Sequence, residues 1–297
     1  MSNHNHILDD LLHKLPGAII QSVKKSLTDV INYTPKIGVM GKSGAGKSSL
    51  INAIVGKPVC KTGGVGGCTR EFQEEVISMG SRSLVFMDLP GVAENQARNK
   101  EYAQLYQEKI ADLDLILWVI KVDDRANKDD EAFYNWLTKQ YKKERILFVL
   151  SQCDKAEPSR DFNYKAFKPS SKQQDTINQN HLRISRDFRV PADDVLPVAC
   201  DFYEGKFDRW NVDELFTRII QKIPSEAKSS LIAQADKSIV TEKTKEAAKD
   251  DFEETVESII DVAIDYAPLP QPIKTLAKAT KKVIAKAARK AWDFLFG

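Results

Sequence analysis

Eight residues, Gly41-Lys42-Ser43-Gly44-Ala45-Gly46-Lys47-Ser48, carry the spacing G-x-x-x-x-G-K-[ST]. That spacing is the phosphate-binding P-loop pattern. Glycines let backbone N–H groups turn inward around phosphate oxygens, and a helix N-terminus behind them adds partial positive charge. Gly41, Ser43, Gly44, Ala45, Gly46, Lys47, Ser48 and Ser49 are therefore the candidate phosphate cradle. Lys47 is expected to reach β- and γ-phosphates, and the Ser48 hydroxyl to ligate Mg2+. An ordinary glycine-rich turn capped by serine is the competing reading. The flanks weigh against it: Lys36-Ile37-Gly38-Val39-Met40 suits a buried strand, and Ser49 to Val55 has helical spacing.

Further carboxylates and hydroxyls fall at matching places downstream. Cys60 to Glu71 holds four glycines in five positions, with Thr69 following. Such a loop between the P-loop helix and the next strand is where a nucleotide-sensing switch belongs, and Thr69 is a candidate Mg2+ ligand. A plain surface loop is the alternative. Ser83 to Met87 reads as a buried strand ending in Asp88-Leu89-Pro90-Gly91. A carboxylate at Asp88 would hold the water shell of Mg2+, and Gly91 would offer an N–H to the γ-phosphate. Alone, D-x-x-G is weak; about forty residues after a P-loop it gains weight.

Arg145 to Leu150 is another buried run, and it leads into Ser151-Gln152-Cys153-Asp154-Lys155. A carboxylate just past a strand end can accept from both guanine N1–H and the 2-amino group, which adenine cannot match. Asp154 is the expected guanine reader, with Lys155 beside it. Val195 to Cys200 reads as the last strand, whose Ala199 or Cys200 backbone lies where it can touch the base.

The elements that must position these groups alternate. Phe72 to Ser78, Ser83 to Met87, Leu113 to Ile120, Arg145 to Leu150 and Val195 to Cys200 read as strands. Asn95 to Ala111, Asp130 to Tyr141, Ser171 to Phe188 and Val212 to Ile223 read as helices. The alternation predicts an α/β fold, a P-loop three-layer sandwich with a mostly parallel sheet and ligand at the strands' C-terminal ends.

With five stations on the page (GKSGAGKS, CTRE, DLPG, SQCD and VAC), the chain resembles the translation-factor-related class of small GTPases. The Thr69-Arg70 pair looks most like the Era-like branch, and the general look is similar to the short GTPases of enterobacterial prophage regions. The resemblance covers roughly residues 36–223. It implies a Mg2+-dependent GTP hydrolase acting as a molecular switch, with Lys47, Thr69 and Gly91 in catalytic roles and Ser48, Thr69 and Asp88 around the metal. Four departures are visible. Ser151 and Gln152 stand where the family has Asn and Lys, so base specificity leans on Asp154. Gly44 stands where Era-like members often carry a potassium-ligating Asn. Val92 stands where Ras-like members carry a catalytic Gln, which implies slow intrinsic hydrolysis stimulated by dimerisation or a partner. After Gly205 the only glycine is Gly297, so the G-x-x-G loop of an RNA-binding KH domain is not seen.

Outside that region both termini read as helical. Residues 1–35 form an N-terminal arm with stripes Ile7, Leu8, Leu11, Leu12, Leu15 and Ile19, Ile20, Val23, Leu27, Val30, Ile31, broken by Pro16-Gly17. Such stripes are expected to pack on the host domain. Residues 224–297 form a C-terminal extension without strand signals. Phe252, Val256, Ile259, Ile260 and Ala263 mark a helix with an acidic outer face, and Ala267 to Pro272 breaks it. The next helix places Ile273, Leu276, Ala277, Val283, Ile284, Ala287, Ala288, Ala291 and Leu295 on one face, with lysines from Lys274 to Lys290 opposite. Three readings compete for it: an antiparallel hairpin with the acidic helix, contact with an anionic membrane surface, and contact with ribosomal RNA.

Composition sets outer limits. The chain has 297 residues, 42% apolar, enough for one large domain or two modest ones, and its net charge of +2 argues for no global affinity for nucleic acid. Cys60, Cys68, Cys153 and Cys200 are scattered, as expected of free thiols in a reducing compartment, and with the four histidines they make no zinc pattern. The polar start, Met1 to His6, is followed by no apolar run of the kind expected of a signal peptide, and no stretch reaches the roughly 18 apolar residues expected of a membrane span. A cytoplasmic protein, peripheral at the inner membrane if the basic helix docks there, is expected. Expected partners are GTP and GDP, with a homodimer, ribosomal RNA and a membrane surface as further candidates. A septin-like or immunity-related assembly module with incidental turnover, and an ATPase, are the alternative functions.

Overall fold

The computed structural model describes residues 2–60, 73–79, 82–89, 107–124 and 128–296. Its elements in chain order are α1 (Ser2–Leu12), α2 (Gly17–Ile31), β1 (Lys36–Met40), α3 (Lys47–Val55), β2 (Gln73–Met79), β3 (Arg82–Leu89), β4 (Leu115–Lys121), α4 (Lys128–Leu137), β5 (Ile146–Ser151), α5 (Ser171–Phe188), β6 (Val195–Pro197), β7 (Ala199–Tyr203), β8 (Lys206–Trp210), α6 (Val212–Lys222), α7 (Ser225–Gln234), α8 (Glu242–Tyr266), α9 (Gln271–Lys290) and α10 (Trp292–Phe296).

The main sheet has the order β2-β3-β1-β4-β5-β6. Every neighbouring pair is parallel except β2 with β3. The inner strands are continuous apolar runs because both sheet faces are covered. Side chains alternate between two cores, following the period of two. Leu115, Leu117 and Val119 enter the core shared with the terminal helices. Ile116, Trp118 and Ile120 enter the other, under α4 and α5. There Trp118 stacks on Phe148 at 5.4 Å between ring centroids.

The first core carries the sheet, α3 and α6, and continues without a break into α1, α2 and α7 to α10. Within it Trp292 Nε1 donates to Ser229 Oγ at 2.8 Å, and Phe252 meets Phe296 edge-on at 5.3 Å. Polar clasps fix α7 to the sheet layer. Ser230 Oγ donates to Tyr33 O at 2.6 Å, and Gln234 Nε2 to Ser83 O at 3.1 Å. Just past α7, Asp236 N donates to Ile54 O at 2.9 Å, at the end of α3. The Asp236 carboxylate also pairs with Arg209 of β8 at 2.8 Å.

Two local expectations are corrected. The run Val195 to Cys200 is not one strand. It divides at Val198, and Ala199 begins an antiparallel hairpin of β7 with β8, apart from the main sheet. Glu204 and Gly205 turn it, both at positive φ (48° and 79°), the geometry that matches strand twist in a two-residue turn. The apolar residues of α9 do not share one face. Ala277, Ile284 and Ala288 are buried, whereas Leu276 and Val283 are exposed. Helix α7 was not read from sequence: Ser229, Ser230 and Gln234 are buried beside Ala227 and Leu231, which leaves it no polar stripe.

The hairpin, one of the three readings for the basic helix, is present. Lys278 pairs with Asp265 at 2.8 Å, and Lys281 with Asp261 and, at 3.8 Å, with Glu257. Arg289 reaches Glu246 and Asp250, each at 2.8 Å, and Glu253 at 3.5 Å. Among the described residues, no helix is long and apolar enough to cross a membrane.

Candidate functional site

The site begins where β1 ends. Gly41 has φ +146°, and a Cβ there would lie 2.2 Å from the Val119 carbonyl oxygen of β4. Only a glycine lets the chain leave the sheet so close to its neighbour. Gly44 and Gly46 follow at φ +73° and +91°, and Gly46 is the N-cap of α3. The loop from Gly41 to Gly46 therefore delivers Lys47, Ser48 and Ser49 as the first turn of that helix, half-buried. Ser43 is exposed and Ala45 buried. Lys47 Nζ donates to Gly41 O at 2.8 Å, folding the lysine back across the loop. Lys42 points away, paired with Asp124 at 3.2 Å and Asp130 at 3.8 Å.

The loop after β5 is bonded directly to this turn. The buried Ser151 hydroxyl donates to Ala45 O at 2.7 Å; Ile120 O lies 3.2 Å from the same oxygen. Gln152, held at φ +55°, donates through Nε2 to Gly44 O at 2.7 Å. Its Oε1 accepts from Lys155 Nζ at 2.8 Å. Cys153, Asp154 and Lys155 form a 3-10 turn. Behind it the fully buried Gln173 donates to Ala156 O at 2.9 Å. Cys153 N donates to Val198 O at 3.1 Å, which brings the start of β7, with Ala199 and Cys200, alongside Asp154.

Burial pushes the Asp154 carboxyl above the usual carboxylate range, and the negative charge of Asp201 adds to this. A backbone hydrogen bond and Lys155 oppose it. Burial likewise raises the Cys200 thiol to about 12, so neither it nor the more deeply buried Cys153 is a reactive thiolate at neutral pH.

Parallel pairing of β1 with β3 sets Val39 opposite Asp88. The Asp88 backbone thus stands at the same sheet edge as the loop carrying Ser48. A hydroxyl and a carboxylate are hard oxygen donors of the kind Mg2+ takes while keeping several waters, so the residue types at Ser48 and Asp88 suit that ion. Thr69, Gly91 and Val92 lie outside the described residues. The chain entering that stretch is held by Asn52, whose side chain donates to Cys60 O at 2.8 Å and accepts from Cys60 N at 2.7 Å.

Sequence reasoning named the P-loop, Asp88 and Asp154 but treated Ser151 and Gln152 only as departures from a pattern. Their role as tethers of Ala45 and Gly44 was missed. The one available signal was that both carry hydrogen-bonding groups at the positions next to a strand end.

A family model described as "50S ribosome-binding GTPase" matches residues 36–152. Over 289 residues the chain is 35% identical to the uncharacterized protein YfjP of Escherichia coli K12, covering 97% of each chain. It is also 35% identical to YkfA of the same organism, covering 96% of each. Similarity extends to GTPase Era of Ureaplasma urealyticum, 25% identical over 244 residues, spanning 79% of this chain and 72% of that one.

Proposed function

We propose, since this chain belongs to the Era-like P-loop GTPases, that it hydrolyses GTP to GDP and phosphate slowly on its own and serves as a partner-stimulated switch. The observation that supports this best is the direct bonding of Ser151 and Gln152 to the carbonyls of Ala45 and Gly44. It joins the turn proposed to hold the phosphates to the loop that carries Asp154, the carboxylate proposed to read guanine.

In this reading Lys47 exchanges the Gly41 carbonyl for β- and γ-phosphate oxygens and neutralises their charge. Backbone N–H groups from Gly44 to Ser49 surround the phosphates at the start of α3. Asp154 accepts from guanine N1–H and the 2-amino group, and the backbone at Ala199 and Cys200 borders the base. Ser48, Thr69 and Asp88 would hold Mg2+, which would supply charge neutralisation to the phosphates. Gly91 offers its N–H to the γ-phosphate. With Val92 in place of a water-orienting glutamine, intrinsic turnover is slow.

Competition between GTP and ATP for the full chain, followed by single-turnover hydrolysis with Mg2+ and with EDTA, tests the proposal. GTP is expected to win the competition and phosphate release to need Mg2+. Equal affinity for ATP removes the base assignment, and no phosphate release with any nucleotide removes the hydrolase.

A further inference from the structure

Helix α9 uses two sets of cations differently. Lys278, Lys281 and Arg289 are spent on carboxylates of α8, and Lys274 Nζ donates to Asp265 O at 3.0 Å. Lys282, Lys286 and Lys290 are exposed and make no ion pair among the described residues. Helix α9 contains no acidic residue to answer them. On the same outward arc, three and four residues apart, stand Leu276 and Val283, 67% and 56% exposed, with Ala279 between them. Tyr266, just before the helix, and Phe294, just after it, are 88% and 76% exposed.

We infer that the outer face of α9 docks the protein on an anionic lipid bilayer. The inner face already has its partner in α8, so this second stripe is left over after the hairpin has formed. Large aliphatic side chains standing in water beside uncompensated lysines match the acyl and headgroup layers of such a surface. The helix lies in the interface, Leu276 and Val283 enter the acyl boundary, and the lysine stems reach up to the phosphates. Exposed aromatic rings at both ends suit the headgroup level.

Two other occupants fit less well. An RNA backbone would engage the lysines but leave Leu276 and Val283 hydrated, and no ring lies among the three lysines for a base to stack on. A second copy meeting this face across a two-fold axis would set lysine against lysine.

Flotation of the full chain with GDP, and with a non-hydrolysable GTP analogue, decides the matter. The vesicles are phosphatidylcholine alone and phosphatidylcholine with one third phosphatidylglycerol. Binding is expected only with the anionic vesicles, weakening as salt shortens the screening length. Changing Lys282, Lys286 and Lys290 to Gln should lower partitioning about 100-fold, roughly fivefold per lysine. Leu276→Ser with Val283→Ser should lower it at least about tenfold, from lost apolar burial. Both variants should melt and bind GDP like the parent, since all five side chains face solvent. The inference is overturned by no flotation, by equal flotation on neutral vesicles, or by a serine variant that floats like the parent. It is equally overturned if the lysines support binding to ribosomal RNA with no vesicle binding, or if the serine changes dissolve a dimer instead.

Discussion

Ser151 Oγ lies 2.7 Å from Ala45 O, a hydrogen bond between residues 106 positions apart that locks the loop after β5 onto the P-loop turn. The serine is buried, so its removal leaves a carbonyl without a partner. Unsatisfied buried groups of this kind cost about 1–3 kcal/mol. Ser151→Ala is expected to accelerate GDP dissociation by roughly tenfold, as 1.4 kcal/mol corresponds to a factor of ten. A stopped-flow chase of fluorescent GDP measures it, and an unchanged rate would mean that the tether does not support the nucleotide.

Lys47 is the charge proposed to meet the phosphates, and its present bond to Gly41 O is one the loop keeps only in part-exposed form. Lys47→Ala should leave the melting temperature near that of the parent and weaken GTP binding by about 100-fold or more, the scale of one lost charge-assisted contact to phosphate. Calorimetric titration and a thermal melt on one preparation separate the two effects. Unchanged affinity removes the P-loop assignment.

Asp154→Asn replaces an acceptor by a donor at the base. Preference should move from GTP toward XTP, because xanthine presents a carbonyl where guanine presents the 2-amino group. Retention of GTP preference in a competition assay would show that another group reads the base.

The raised carboxyl of Asp154 adds a pH signature. Two hydrogen bonds to guanine need the ionised form, so discrimination is complete well above the folded value and declines as pH falls through it. Because burial holds that value above 3.8, the decline begins at higher pH than for an ordinary carboxylate. The ratio of GDP to IDP affinity isolates the 2-amino contact, since both ligands share their phosphate titration. It should shrink with acidification in the parent and stay flat in Asp154→Asn.

The N-terminal arm is fastened by Tyr33, whose hydroxyl donates to Asp114 Oδ1 at 2.7 Å while Lys36 N donates to Oδ2 at 2.9 Å. Tyr33→Phe removes one partner of a largely buried carboxylate and should destabilise the fold by about 1–3 kcal/mol. Denaturant midpoints of the two proteins, at equal slope, give that value. No change in midpoint would mean that water replaces the hydroxyl.

Much of the nucleotide-side architecture was legible because its signals are local. Lys36 to Met40, the loop glycines and Lys47-Ser48 announce a strand, a tight turn and a helix start within a dozen residues. The unbroken apolar runs of β4 and β5 likewise imply a sheet covered on both faces. Other elements carried weaker local cues. The β7–β8 hairpin turns on Glu204-Gly205, a pair whose positive φ values are easily overlooked when the first residue is not Asn or Asp. Helix α7 buries serines and a glutamine, so its polar positions satisfy neighbours instead of water, and the periodicity that marks a surface helix disappears.

The sequence by itself determined the glycine turn between β1 and α3, the strand ends at or next to Asp88 and Asp154, and the presence of an acidic and a basic helix near the C-terminus. Each of those rests on residue type and short-range spacing. Tertiary structure alone decided that Ser151 and Gln152 tie Ala45 and Gly44, that Asp236 joins the end of α3 to Arg209, and that α9 divides its apolar residues and lysines between α8 and solvent. Helical spacing defines which residues of α9 share a face, but which arc meets a partner depends on where α8 lies. That depends in turn on a core assembled from both ends of the chain.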